Sequence, residues 1–151
     1  MKVAPELREL YQEMIVDHGR RPRNLRRLER ATCRAEGFNP LCGDRVTVYL
    51  DCNDGVIREA AFEGQGCAIS MASASMMTEA IKGKKREEVE RMFDAFHRLL
   101  TEENAEAPAE LGKLKVFAGV REFPSRVKCA VLAWHTLKAA LAGEREPVST
   151  E

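Results

Sequence analysis

Residues 45–63 constrain the fold of this chain more than any other stretch. From Arg45 to Cys52 the residues alternate, with Val46, Val48 and Leu50 on one face and Arg45, Thr47, Tyr49 and Asp51 on the other. A two-residue period is the pleat of a half-buried strand. Asn53-Asp54-Gly55 follows, and because these residue types tolerate positive φ the chain is predicted to reverse there in a tight hairpin. Val56 to Glu63 then returns as the partner strand. Antiparallel pairing sets the start of one strand beside the end of the other. The hairpin therefore brings two glycine-rich loops to one edge of a sheet. They are Asn39-Pro40-Leu41-Cys42-Gly43-Asp44 and Gly64-Gln65-Gly66-Cys67-Ala68-Ile69-Ser70, each carrying a cysteine.

The other segments read mainly as helices. Pro5 to His18 places Leu7, Leu10, Tyr11, Met14 and Ile15 on one face and stops near Gly19. Ala68 to Ile81 begins directly after Cys67. It is rich in small residues (Ala68, Ser70, Ala72, Ser73, Ala74, Ser75) that permit close packing on the sheet. Arg86 to Leu100 carries the stripe Val89, Met92, Phe93, Phe96 and Leu100. Thr101 to Gly112, acidic and broken by Pro108, is expected to be an exposed connector with a short helical piece, and Val116 to Val120 leads into the last helix. Pro124 and Ser125 open that helix, with Val127, Val131, Trp134, Leu137 (or Lys138) and Leu141 as its packing stripe, and Gly143 ends it. Cys129 falls beside that stripe in the first turns. Cys33 is placed in a short edge strand, Ala31–Ala35, and Glu144 to Glu151 is expected to be a frayed tail. The pattern predicts one α+β domain, 1–151, with a small antiparallel three-stranded sheet against about four to five helices.

Charge and length exclude several roles. Lys and Arg total 24, as do Asp and Glu, so net charge favours neither nucleic acid nor a membrane surface. The basic run Arg20, Arg21, Arg23, Arg26, Arg27, Arg30 and Arg34 lacks the interleaved aromatics of a stacking platform and reads as a solvated loop, with an acidic partner's docking surface as the alternative. No apolar run reaches the roughly 18 residues of a membrane span. Met1 to Leu10 is charged and has no apolar signal core, which points to a cytoplasmic setting. In reducing cytosol an odd set of cysteines speaks for metal or thiol chemistry over disulfides.

Three thiols and one carboxylate, Cys42, Asp44, Cys67 and Cys129, can close a tetrahedral zinc shell. No Cys-x-x-Cys pair occurs, so such a site must be assembled by the fold, and free core cysteines are the competing reading. Cys67 before a helix meets unpaired N–H groups that favour thiolate. Cys33 and Cys52 lie away from that edge and read as structural. His18, His97 and His135 read as surface or packing residues.

The two loop strings, with Ala72-Ser73-Ala74-Ser75 behind the second and Arg126-Val127-Lys128-Cys129 near the end, resemble the U-type iron–sulfur cluster assembly proteins, SufU and IscU (NifU N-terminal-like). The likeness runs from about Leu10 to Leu141. Where the IscU branch has a histidine just before the third cysteine, and a Leu-Pro-Pro-Val-Lys motif upstream, this chain has Lys128 and Phe123-Pro124-Ser125-Arg126-Val127-Lys128. A long segment between Cys67 and Cys129 also resembles the SufU insertion. The resemblance implies Zn²⁺ on Cys42, Asp44, Cys67 and Cys129. It further implies a pyridoxal-phosphate cysteine desulfurase (SufS-like) as sulfur donor and a SufBCD-type scaffold as recipient. Cys42 is the expected acceptor, its loop made pliable by Gly43, and Arg126 matches a position linked to sulfur transfer. A monomer or weak oligomer is expected, without nucleic acid or membrane. Two alternatives stand beside this: a scaffold building a labile [2Fe–2S] cluster on the same residues, and a non-catalytic adaptor tied together by zinc.

Overall fold

The computed structural model describes residues 5–102, 105–144 and 146–150. Helix α1 spans Pro5–Arg20, strands β1, β2 and β3 span Cys33–Asn39, Asp44–Asn53 and Val56–Gln65, and helices α2 and α3 span Ala68–Ile81 and Arg86–Thr101. A 3-10 segment, Ala109–Glu122, leads into helix α4, Pro124–Ala142, and a two-residue strand β4, Val148–Ser149, closes the chain.

The hairpin forms as its alternation requires. Asp54 and Gly55 both take positive φ, 54° and 76°, and Arg45 pairs with Gln65 at the open end. Val46, Val48 and Leu50 are buried together. The predicted exposure of the other face fails at Tyr49, which is buried, donates its hydroxyl proton to Glu63 and lies under the Arg34 guanidinium.

The sheet has four strands in the order β3-β2-β1-β4, which corrects the three-stranded expectation. Residues 148–149 run parallel to β1 at Gly37 and Phe38, and the Thr150 N–H donates to the Phe38 carbonyl. Two residues are too few to show a period, so the expected frayed tail is partly a strand; Arg145 and Glu151 lie outside the described residues. For the same reason β1 is an interior strand, not an edge. The true edge at β3 is covered by the arginine-rich stretch: the Phe62 N–H donates to the Asn24 carbonyl and the Arg26 N–H donates to the Phe62 carbonyl. Covering an edge in this way removes a template for unwanted pairing. Arg23, Arg26 and Arg34 are paired within the chain to Asp17, Glu59 and Glu36.

Helix α4 lies across the inner face of the sheet and is buried nearly all round, beyond the single stripe expected of it. Trp134 stacks on Phe96 of α3 with ring centroids 4.8 Å apart, and Phe96 meets Phe117 edge-on at 5.6 Å. Each fully buried aromatic or aliphatic side chain of this kind contributes about 1.5–3 kcal/mol by leaving water. The stripe Val89, Met92, Phe93, Phe96 and Leu100 is buried as the spacing requires. Within the connector Thr101–Gly112, expected to be exposed, Leu111 is buried, and the segment that follows it buries Leu114, Val116, Phe117 and Val120 as well. A 3-10 segment has a three-residue turn, so its apolar spacing escapes a search for 3.6.

Small residues let α2 pack closely, as expected. Ser73 donates to the Ala130 carbonyl of α4, while Ser75 Oγ lies 2.8 Å from His18 Nδ1 and accepts the Arg23 N–H, also at 2.8 Å. His18 is thus a packing histidine, and burial lowers its pKa. His97 and His135 pack round the Phe93 ring. On α1, Tyr11, Met14 and Ile15 pack against the core while Leu10 is exposed; the Leu7 side chain lies outside the described residues. Among the described residues no helix is long and apolar enough to cross a membrane.

Candidate metal centre

The four predicted ligands arrive from the β1–β2 turn, the start of β2 and two helix starts, at the open end of the β2–β3 pair. Asn39 shapes the first turn. Its Oδ1 accepts the Leu41 N–H at 3.1 Å, and its carbonyl accepts the Cys42 and Gly43 N–H groups at 3.3 and 2.9 Å. An asparagine side chain bonding the backbone two residues on is the usual device for such a turn. The result turns Leu41 and Cys42 outward and returns Asp44 inward, 1% exposed.

Asp44 joins the two loops. Its Oδ1 accepts the Cys67 N–H at 3.0 Å, and its Oδ2 lies 3.1 Å from Cys42 Sγ and 3.9 Å from Cys67 Sγ. Gly66 makes this approach possible, since a Cβ there would stand 2.5 Å from Asp44 Oδ1. Cys67 is the N-cap of α2, its sulfur accepting the Ser70 N–H at 3.4 Å. A thiol so placed meets the positive end of the helix. Cys129, one turn into α4, is 1% exposed, with its sulfur 3.5 Å from Cys42 Sγ and 3.6 Å from the Ser125 carbonyl.

The donor atoms of Cys42, Asp44 and Cys129 all lie within 4.8 Å of one another. Cys67 stands at the rim, held against Asp44. Burial, hydrogen bonds with Asp44 and Cys42, and the negative charges of Cys67 and Asp44 push the Cys129 thiol far above its ordinary range. A buried carboxylate among thiols resists further negative charge unless a cation joins it. Soft sulfurs with one hard oxygen are the donor set that zinc accepts, so the residues present fit that ion.

Arg126, expected from sequence to act here, is exposed on the first turn of α4 and faces both Cys67 and Cys129. The Cys67 charge, then the Cys129 hydrogen bond and charge, raise its pKa. Cys33, Cys52, His97 and His135 lie elsewhere. Two features escaped sequence reasoning. Asn39, buried at 2%, is legible as an Asn-Pro turn signal. Exposed apolar residues carry no sequence signal of their own: Leu41, beside Cys42, is 75% and Phe123, at the start of α4, 59% exposed. A groove of about 400 Å3, lined by Tyr11, Ile15, Val16, Ile69, Val120 and Phe123, opens beside Ala68, the residue after Cys67.

The chain matches the family described as NifU-like N-terminal domain over residues 10–130. It is 39% identical over 144 residues to the zinc-dependent sulfurtransferase SufU of Bacillus subtilis, covering 95% of this chain and 97% of that one. With the iron–sulfur cluster assembly scaffold protein IscU of Thermotoga maritima it shares 42% identity over 135 residues, 87% of this chain and 92% of the other. The crystal structure of FiSufU from Fervidobacterium islandicum superposes with a TM-score of 0.81 at 36% identity, covering 88% of this chain and 97% of that one.

Proposed function

The chain belongs to the NifU-like N-terminal domain family of iron–sulfur cluster assembly proteins, and on that premise we propose that it is a zinc-dependent sulfur acceptor. One observation carries the reading: a single exposed thiol, Cys42, stands 3.1 Å from a buried carboxylate and 3.5 Å from a buried thiol. Cys42, Asp44, Cys67 and Cys129 would hold the zinc. When bound, zinc keeps thiols deprotonated at neutral pH and brings no redox chemistry of its own.

The protein's own residues do the rest. The Cys42 thiolate attacks the outer sulfur of a persulfide carried on a desulfurase cysteine. The donor's S–S bond breaks, its cysteine leaves as thiolate, and Cys42 becomes the persulfide. Arg126 offers a permanent positive charge beside the sulfurs and holds the extra negative charge that the arriving persulfide brings. Asp44 ties the Cys42 and Cys67 loops at a fixed spacing. Leu41, Phe123 and the groove beside Ala68 offer apolar surface on which a donor protein can seat. A pyridoxal-phosphate desulfurase of SufS type is the donor and a SufBCD-type scaffold the recipient in this reading. An adaptor merely tied by zinc has no use for an exposed Cys42.

The scaffold reading draws support from the Thermotoga relative's name and from a donor set that also suits iron. Native mass spectrometry of anaerobically purified protein, before and after a cysteine desulfurase and free cysteine, decides between them. One zinc throughout with a sulfur adduct on Cys42 upholds the acceptor. Iron with sulfide in place of zinc establishes the scaffold, and zinc with no sulfur adduct refutes both.

A further inference from the structure

At the end of the β1–β2 pair away from the metal centre lies a second pair of thiols. Cys33 opens β1 opposite Leu50, and Cys52 stands two residues beyond Leu50 on β2, so the two are diagonal neighbours packed against the core. Undistorted diagonal neighbours lie about 7–8 Å apart, just beyond the usual reach of a disulfide. The Cys33 and Cys52 thiols nevertheless stand close enough to hydrogen-bond, at the point where β2 also shifts register against β3. Thr32 ties this end of the pair together: its N–H donates to the Leu50 carbonyl at 2.8 Å, and its Oγ1 accepts the Cys52 N–H, also at 2.8 Å. The same Oγ1 lies 4.0 Å from Cys33 Sγ. Both cysteines are free and half-buried, so small reagents reach them. Burial foremost, then the charge and hydrogen bonding of the neighbouring Cys33 thiol, raises the Cys52 pKa.

We propose that Cys33 and Cys52 form an oxidisable dithiol, which a peroxide converts to an intramolecular disulfide distinct from the metal centre. The Cys33 thiolate attacks one peroxide oxygen and the O–O bond breaks, leaving a sulfenic acid and releasing one water. The Cys52 sulfur then attacks the sulfenic sulfur, the S–O bond breaks, and a second water leaves. Two thiols give up two electrons and two protons, and the peroxide is reduced to two waters. The closed ring spans residues 33–52 and so contains Asn39, Cys42 and Asp44 without consuming a ligand. It ties the root of the β1–β2 hairpin whose tip is the acceptor loop.

The test uses the full-length reduced protein with Zn²⁺ added, treated with a small excess of hydrogen peroxide, then alkylated and digested with trypsin. Each of the 5 cysteines falls on its own tryptic peptide, Cys33 on 31–34 and Cys52 on 46–58. The expected product is peptide 31–34 linked to 46–58 in the unsubstituted protein, with the link absent in Cys33→Ser. Full alkylation of Cys33 and Cys52 at a peroxide dose that oxidises Cys42 overturns the proposal. So does a link from either one to Cys42, Cys67 or Cys129. Because the decisive reading is made on the unsubstituted chain, a misfolded variant leaves it intact.

Discussion

Strands β1 and β2 carry cysteines at both ends. At one end Cys42 is exposed over buried Asp44 and Cys129, with Cys67 capping α2 beside them. At the other, Cys33 and Cys52 lie half-buried against aliphatic core, with one threonine hydroxyl as their polar company. The residue type is the same, and the surroundings differ. A carboxylate, two helix N-termini and a permanent cation, Arg126, make a place for a metal and a nucleophile. Packing against the core makes a place for two thiols that meet each other. Cysteine chemistry is therefore decided by what the fold sets beside the sulfur.

The largest expected contrast lies in sulfur uptake. Cys42→Ser removes the desulfurase-dependent sulfur adduct and the stimulation of the desulfurase, while the melting midpoint of the metal-free protein stays close to that of the parent, because the position is exposed. Cys52→Ser leaves both activities as they were. Equal losses in the two variants would dissolve the distinction between the ends.

Next comes Asp44, the residue that makes the metal end polar. Asp44→Ala removes a proposed ligand and leaves the Cys67 N–H without its acceptor, which costs about 1–3 kcal/mol for an orphaned buried group. Zinc affinity, read by competition with a chromophoric chelator, falls by more than the roughly 10–100-fold typical of losing an outer-shell partner. Asp44→Asn keeps an oxygen for the Cys67 N–H, so it recovers stability while zinc binding stays weak. A variant that lost stability and kept its zinc would remove Asp44 from the ligand set.

Gly66→Ala sharpens the geometry. Its Cβ meets Asp44 Oδ1 at 2.5 Å, so the carboxylate must move, and overpacking of this kind costs about 1–3 kcal/mol. Chemical denaturation of the metal-free protein reads this cost apart from any effect on zinc.

The smallest effects come with pH. Burial lowers the pKa values of His18 and His135 below the ordinary 6.5. Their contribution is complete above the unfolded value of 6.5 and is lost as pH falls through the lowered folded values, since the unfolded state then binds more protons. Cys129 works the opposite way in the metal-free protein. Its raised pKa favours folding below the ordinary thiol value of 9.0, an advantage that fades as pH rises through the higher folded value. Zinc competes with that proton, so its apparent affinity climbs with pH and its binding releases protons, measurable by calorimetry in buffers of different ionisation heat.

Much of this was legible in the sequence, wherever the signal is local. Period-two alternation with Asn53-Asp54-Gly55 determined the hairpin, the hairpin determined that the Cys42 and Cys67 loops meet, and apolar periodicity determined α2, α3 and α4 to within a residue or two. The motifs carried the family. Tertiary structure alone decided the rest. Strand β4 consists of two residues with no pattern, and it forms because the chain leaving α4 is led back along β1. Leu111 is buried because the 3-10 segment is pressed into the core, and the groove beside Ala68 is lined from α1, α2 and the 3-10 segment together. The placing of Cys33 beside Cys52 depends on the β1–β2 register, and the burial of Asp44 on a glycine across the loop. Sequence determines what each segment does with its own backbone. Which side chains share a dielectric, a proton or a metal depends on contacts between residues far apart in the chain, and only the packed fold supplies them.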